Sequence, residues 1–303
     1  MKAVDSELMA IYSLMDDPQP AVQRAVRDRI FELGEDVVGP LRLLCEQDEG
    51  HLKTRIEDLI SELRMTRVLE RLGGVYQDTA SDVDLEEGVF IIAKYGHPGI
   101  DVEEYRRRLD DMVLDIRIHA GVRAVPIDHF MRMKSYLFGD LGFVGNRQDY
   151  YNADNSFMNE VLETRKGIPI TLSVLMLLLG KRLGLPLHGI GMPMHFLVQY
   201  DDGTRMFFVD AFNGGMVITQ DQCRSMLAST GIQFNPSMLV PVSNREIVER
   251  MWRNLFLAYQ QSDRKDEAAQ VGRILSFINP DFKVNTTSAE EDDDEEDDVD
   301  DEQ

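Results

Sequence analysis

His195 and Asp210 are the residues whose types and spacing point most directly to chemistry. They stand at the outer ends of two stretches, His195 to Tyr200 and Arg205 to Asp210, that are rich in aromatic and branched side chains and flank Asp201-Asp202-Gly203-Thr204. Asp-Gly at the centre of such a segment is a strong hairpin signal, because both central positions of the tight turn require positive φ. With Asp202-Gly203 as a two-residue loop, Asp201 faces Thr204 and His195 falls directly opposite Asp210. Opposed side chains have Cβ atoms about 4.5–5.5 Å apart, close enough for the carboxylate to hold an imidazole nitrogen. A one-residue slip would separate them onto opposite faces. A carboxylate that orients a histidine serves general acid–base catalysis. It serves equally as a structural lock at a strand end, and spacing alone leaves both readings open.

The elements that must position this pair are mostly helical. Residues 1–75 read as helices: Pro20 opens one whose apolar residues Val22, Val26, Ile30 and Leu33 run to a stop at Gly34, and two more are expected at Val37 to Glu46 and Leu52 to Leu72. With the Asp-Asp-Pro turn near Asp16 they resemble a HEAT-like repeat pair, although a plain helical cap has the same pattern. Two further helices are expected around the Tyr95-Gly96-His97-Pro98-Gly99 break, then Phe130 to Phe138 and Asn155 to Arg165. Ile168 to Leu183 is apolar on nearly every face, which predicts a helix buried on all sides with Pro169 in its first turn.

The chain of 303 residues carries a formal charge of −22, and twelve of the excess negative charges lie in the run Glu290 to Glu302. The remaining mildly acidic body argues against a broad nucleic-acid footprint and against docking on anionic lipid. The N-terminus lacks the apolar core of a secretory signal, and Val174 to Leu179 is too short to cross a bilayer. Two cysteines make no disulfide framework, so a cytoplasmic protein with free thiols is expected.

Seven ordered motifs then carry a resemblance. They are Gly142-Phe143-Val144-Gly145-Asn146, Tyr150-Tyr151, Asn155-Ser156, Val161 to Ile170, Arg182 to Pro186, Pro193 to Val198 and Asp210 to Gly215. From about Leu85 to Val240 the chain resembles the SirB-like transglutaminase-core family. The resemblance implies a papain-like α+β fold: a central buried helix packed on a small antiparallel sheet, here flanked by the HEAT-like helices and a C-terminal helical hairpin. It also implies that His195 is the family's histidine and Asp210 its aspartate. The nucleophile position departs from active transglutaminases, because Pro169 stands where they place cysteine, and proline has no nucleophilic atom. The SirB-like branch resembles this chain in that replacement.

Thr171 and Ser173, in the first turns of the same helix, are weak substitutes, since a hydroxyl needs a base within reach and the two point in different directions. Backbone capping and core hydroxyls are the competing roles. Cys223, in a helix opened by Thr219 with Gln222 as capping partner, and Cys45, on a stripe with Leu41 and Leu44, read as buried thiols. His188, His195 and Asp210 are the nearest candidate metal ligands but form no ligand motif, so neither metal nor cofactor is expected. Asn213-Gly214-Gly215 reads as the turn after the second strand. Arg165 and Lys166, beside the helix start, are candidates to receive a carboxylate or a peptide C-terminus, against the alternative of a solvated cationic helix end. Tyr150, Tyr151, Asn155, Asn159 and Asn213 are candidate cleft residues.

Trp252 to Tyr259, Ala268 and Pro280 fall at the spacing of one tetratricopeptide-like repeat, which must dock on the core or on a partner. The tail, with its like charges and no apolar surface, is expected to be disordered. It solubilises the chain, or competes for a basic partner or for the Arg165–Lys166 cleft. The expected organisation is thus 1–75 HEAT-like helices, 76–243 transglutaminase-like core, 244–283 helical hairpin and 284–303 acidic tail. The expected role is protein or peptide binding without catalysis; the alternative is an amidase, peptidase or acyl-transfer enzyme in which His195 is the base and water or a hydroxyl the nucleophile. Oligomeric state is not written in the sequence.

Overall fold

The segment that is apolar on every side forms the centre of the protein. In the computed structural model, which describes residues 2–45, 51–76, 82–121, 123–228 and 231–283, the helix Pro169–Leu183 is buried at every position from Pro169 to Gly180 and ends at Gly184 in the left-handed conformation. The expected acidic tail, 284–303, lies outside the described residues.

The helices in chain order are α1 (Lys2–Leu14), α2 (Pro20–Leu33), α3 (Val38–Cys45), α4 (His51–Tyr76), α5 (Leu85–Gly96), α6 (Val102–Ala120), α7 (Pro126–Ser135), α8 (Met158–Thr164), α9 (Pro169–Leu183), α10 (Gln220–Ala228), α11 (Asn244–Gln261) and α12 (Lys265–Ile278). Two parallel dipeptide strands, β1 (Val144–Gly145) and β2 (Lys166–Gly167), pair beside the start of α9. A four-stranded antiparallel sheet follows in the order β3 (Leu187–Ile190), β4 (Leu197–Asp201), β5 (Met206–Asp210) and β6 (Met216–Ile218).

This sheet is covered on both sides. Val198, Tyr200 and Val209 pack with α9 in the main core, whereas Leu197, Phe208 and Ile218 pack with Cys223 and Leu227 of α10. Two covered faces explain why β4 is buried continuously from Leu197 to Tyr200, Gln199 included, rather than at alternate residues. α10 opens as its residues predict: Thr219 Oγ1 accepts from the Gln222 amide at 3.3 Å, and Gln222 Oε1 accepts from the Thr219 amide at 2.7 Å.

The N-terminal helices form their own apolar cluster, and α4 is common to both bodies. Its Ile56, Ile60 and Leu63 belong to the N-terminal cluster, while Val68 and Leu72 belong to the main core. The C-terminal pair α11–α12 packs on the main core through Trp252, Leu255, Val271 and Leu275. Contact is close: a Cβ on Gly88 of α5 would fall 2.5 Å from Val248 of α11.

The hairpin register differs from the expected one. Asp201 pairs with Met206 and Val198 with Val209, so the loop is the four residues 202–205 rather than Asp202-Gly203 alone. The aspartate side chains cause this. Asp201 accepts from the Gly203 amide at 2.9 Å, and Asp202 accepts from the amides of Thr204 and Arg205 at 2.9 and 2.7 Å. Only Gly203 takes positive φ, at +77°, so the tight turn that needs two such residues does not form. The partner of each β4 residue moves by two, which keeps every side chain on its expected face.

Candidate functional site

His195 lies just ahead of β4, in a tight turn whose His195 amide donates to the Met192 carbonyl at 3.1 Å. Met194 inside that turn has φ +60° and is 77% exposed, a left-handed conformation that a methionine adopts only when its surroundings impose it. The constraint comes from α11. Arg250 Nη2 donates to the Met192 carbonyl at 3.0 Å and to the His195 carbonyl at 2.7 Å.

The imidazole Nε2 reaches Asp210 Oδ2 at 2.9 Å, an ion-pair distance without the alignment of a straight N–H···O hydrogen bond. Asp210 ends β5 and is 1% exposed. Burial pushes its carboxyl up, but the His195 ring, the Asn213 side chain at 2.6 Å and the Asn213 amide at 3.0 Å outweigh burial and hold it below the usual carboxylate value. Asn213 therefore supports Asp210, and its Oδ1 accepts from Arg147. With Nε2 on the carboxylate, Nδ1 is the ring nitrogen left to exchange a proton with the cleft.

The cleft before His195 has a volume of about 260 Å³. One wall carries Tyr150, Tyr151, Asn152 and Ser156; the start of α9, from Ile168 to Ile170, forms another; Arg250, Asn254, Leu257 and Ala258 of α11 close the third. Pro169 thus faces the same space as His195. Edge-on ring contacts run from Tyr151 to Tyr150 at 5.3 Å, on to Phe212 at 6.0 Å and to His195 at 6.4 Å. An open depression of about 400 Å³ between α2 and α4 lies far from this chemistry, and its Arg27 and Glu62 neutralise each other.

The other candidates separate into three groups. Thr171 and Ser173 are fully buried. Thr171 Oγ1 accepts from the Ile168 amide at 3.1 Å and donates to the Asn155 carbonyl at 2.9 Å, and Ser173 Oγ donates to the Phe196 carbonyl at 3.3 Å. Asn155 and Asn159 are buried as well, and Asn155 steadies the tyrosine loop by donating to the carbonyls of Asp149 and Tyr150 at 2.7 and 3.1 Å. Arg165 is left-handed at φ +57°, its Nη1 donates to the Leu141 carbonyl at 2.9 Å, and it lines no part of the cleft. Lys166 is exposed in β2 and lines no part of the cleft. Cys45 and Cys223 are free and buried, and burial pushes the Cys223 thiol up to about 11. Among the described residues no group of three or more His, Cys, Asp or Glu is placed to hold a metal ion, and no helix is long and apolar enough to cross a membrane.

Two cleft residues carry no signal in the sequence reading. Arg250 is one arginine among several on an amphipathic helix, and only docking of α11 turns it inward. Ser156, in the Asn155-Ser156 motif, lines the cleft although it is only 2% exposed.

A transglutaminase-like superfamily domain matches residues 103–253. A UPF0162 protein of Xylella fastidiosa is 32% identical over 197 residues, covering 62% of this chain and 69% of that protein. A UPF0162 protein of Vibrio cholerae is 30% identical over 189 residues, covering 60% and 68%. Human F-box only protein 21 is 27% identical over 241 residues, 70% of this chain but 38% of that longer protein. No solved structure gives a significant match. With 32% identity over 69% of the Xylella protein, the chain belongs to the UPF0162 family, and its residues 103–253 are a transglutaminase-like superfamily domain.

Proposed function

We propose that this protein binds a peptide or protein segment in the cleft before His195 and forms no covalent intermediate with it. The observation that carries the reading is Pro169, which faces the cleft at the position where the family resemblance expects a thiol. A proline there supplies neither a nucleophilic atom nor a backbone N–H to stabilise an oxyanion. The exposed Tyr150, Tyr151 and Leu257 at the rim and the side-chain amides of Asn152 and Asn254 suit a chain of alternating apolar and polar groups. In this reading the N-terminal helices are HEAT-like, α11–α12 are tetratricopeptide-like, and the protein works in the cytoplasm.

The His195–Asp210 contact favours a second reading. An imidazole oriented by a buried carboxylate is a competent general base, and Ser156 or water would be the nucleophile of an amidase, peptidase or acyl transferase. Purified protein and its His195→Ala variant, assayed side by side on peptide, ester and amide libraries, separate the two. The binding reading expects no turnover that His195→Ala removes; turnover present in the parent protein and absent from a folded His195→Ala variant overturns it.

A further inference from the structure

Arg250 is a half-buried cation with no opposite charge beside it. No carboxylate of the described residues comes within 4.0 Å of its guanidinium; Arg64, Arg117, Arg147 and Arg165 also lack an ion pair, but Arg250 lines the cleft and they do not. Both Nη2 hydrogens are spent on the Met192 and His195 carbonyls. Nε and Nη1 have no protein acceptor among the described residues and remain open to the solvent of the cleft. Burial pulls its proton affinity down and Tyr150 restores only part of it; the other partner of the charge is the Phe196 ring, whose centroid is 5.5 Å from Cζ. If the only task of this position were to hold the 192–195 turn, a neutral donor would do so without that desolvation cost.

We propose that Arg250 is the anchor for a carboxylate in the cleft, and that the ligand joins this carboxylate to an apolar group. The inference rests on the binding reading above and names the chemistry its ligand must carry. A monoanion fits better than a phosphate dianion: Arg250 is the one arginine or lysine among the residues lining the cleft, its free donors are few, and the Asp210 carboxylate lies directly behind His195. A phosphate would call on more donors than Nε and Nη1 offer. The apolar half follows from the rim of the same cleft, where Tyr151, Met194 and Leu257 are 51%, 77% and 47% exposed. Arg165 and Lys166, the cations expected for this task, lie outside the cleft, so the role falls to a residue of α11.

The test uses the whole protein with four probes, read by calorimetry and by the side-chain N–H resonance of Arg250. The first is an alanine–leucine hexapeptide with a free C-terminal carboxylate; the second is its C-terminal amide; the third is the amide with one internal glutamate. N-acetyl-leucine, as acid and amide, is the fourth. The free-acid peptide is expected to bind at least about tenfold more tightly than its amide and to shift the Arg250 resonance. If the glutamate peptide matches the acid, the carboxylate comes from a side chain; if it matches the amide, from a chain terminus. Both outcomes uphold the anchor. Arg250→Gln should erase the acid–amide difference, and Arg250→Lys, which keeps charge and a donor for the turn, should keep part of it. Equal binding of all three peptides overturns the carboxylate anchor and leaves the peptide-binding reading intact. Binding of N-acetyl-leucine over its amide without any peptide binding does the reverse. Silence from every probe overturns both.

Discussion

Asn213 Nδ2 lies 2.6 Å from Asp210 Oδ2, the oxygen that also faces His195 Nε2. Asp210 therefore does not depend on the histidine alone to remain a carboxylate inside the protein. Replacing Asn213 by alanine removes a charge-assisted hydrogen bond and should cost about 1–3 kcal/mol of stability, measured by urea unfolding at neutral pH. The Asp210 carboxyl should titrate at higher pH in the variant, read by carbon NMR of the side chain. An unchanged titration would show that the Asn213 side chain contributes nothing to it.

Acid should weaken the fold through the same carboxylate. Because the folded Asp210 carboxyl is more acidic than the unfolded one, with its usual value of 3.8, its contribution is present above about pH 4 and is lost as pH falls through the lower folded value. The stability gap between the parent protein and Asp210→Asn should therefore narrow as pH is taken from 6 to 3. A gap that stays constant over this range contradicts the assignment.

Thr171 should matter to stability and not to the cleft. Its hydroxyl joins the Ile168 amide to the Asn155 carbonyl inside the protein. Thr171→Val leaves both backbone groups buried without that partner, a loss of about 1–3 kcal/mol, whereas Thr171→Ser should recover most of it. Ligand affinity measured on the folded fraction should stay within about twofold of the parent.

Gly145 should not tolerate a side chain. A Cβ there would sit 2.5 Å from the Phe212 ring and 2.7 Å from the Phe212 carbonyl oxygen, and the backbone oxygen cannot swing aside. Gly145→Ala should destabilise by about 1–3 kcal/mol and displace Phe212 from Tyr150. Gly99, with open space around it and no positive φ, supplies the control: Gly99→Ala should be near neutral by thermal unfolding.

Both thiols should be silent in the native protein. Cys45 and Cys223 are 2% and 0% exposed, and the Cys223 thiol is pushed up to about 11. A chromogenic disulfide reagent should release both equivalents only after unfolding. Rapid native reaction of either would mean that its helix opens readily.

The parts that could be read from the sequence are those whose cause is local. α9 is apolar on every face, and the Thr219–Gln222 pair stands at the spacing of a cap; both signals survive whatever surrounds them. The hairpin was legible in its existence but not its phase, because Asp201 and Asp202 claim the loop amides with their side chains. His195 and Asp210 still meet, since a shift of two residues preserves the face. β1, β2, β3 and β6 are too short to show a period, and neighbours impose their extended backbone. Arg250 and Arg165 show the same limit from opposite sides. One looks like an ordinary helix-surface arginine and is drawn inward by docking; the other looks aimed at the helix start and instead bonds the Leu141 carbonyl outside the cleft.

The reach of Arg250 across 55 residues to the His195 carbonyl also sets an order in time. During synthesis the sheet and α9 are complete before α11 exists. At about 5–20 residues per second, the turn that carries His195 waits roughly 3–11 s for the guanidinium that pins it. Until then the turn has only its own His195-to-Met192 hydrogen bond to close it, and the cleft has only two of its three walls. The three-walled cleft thus comes into being only when α11 folds back onto what was made before it.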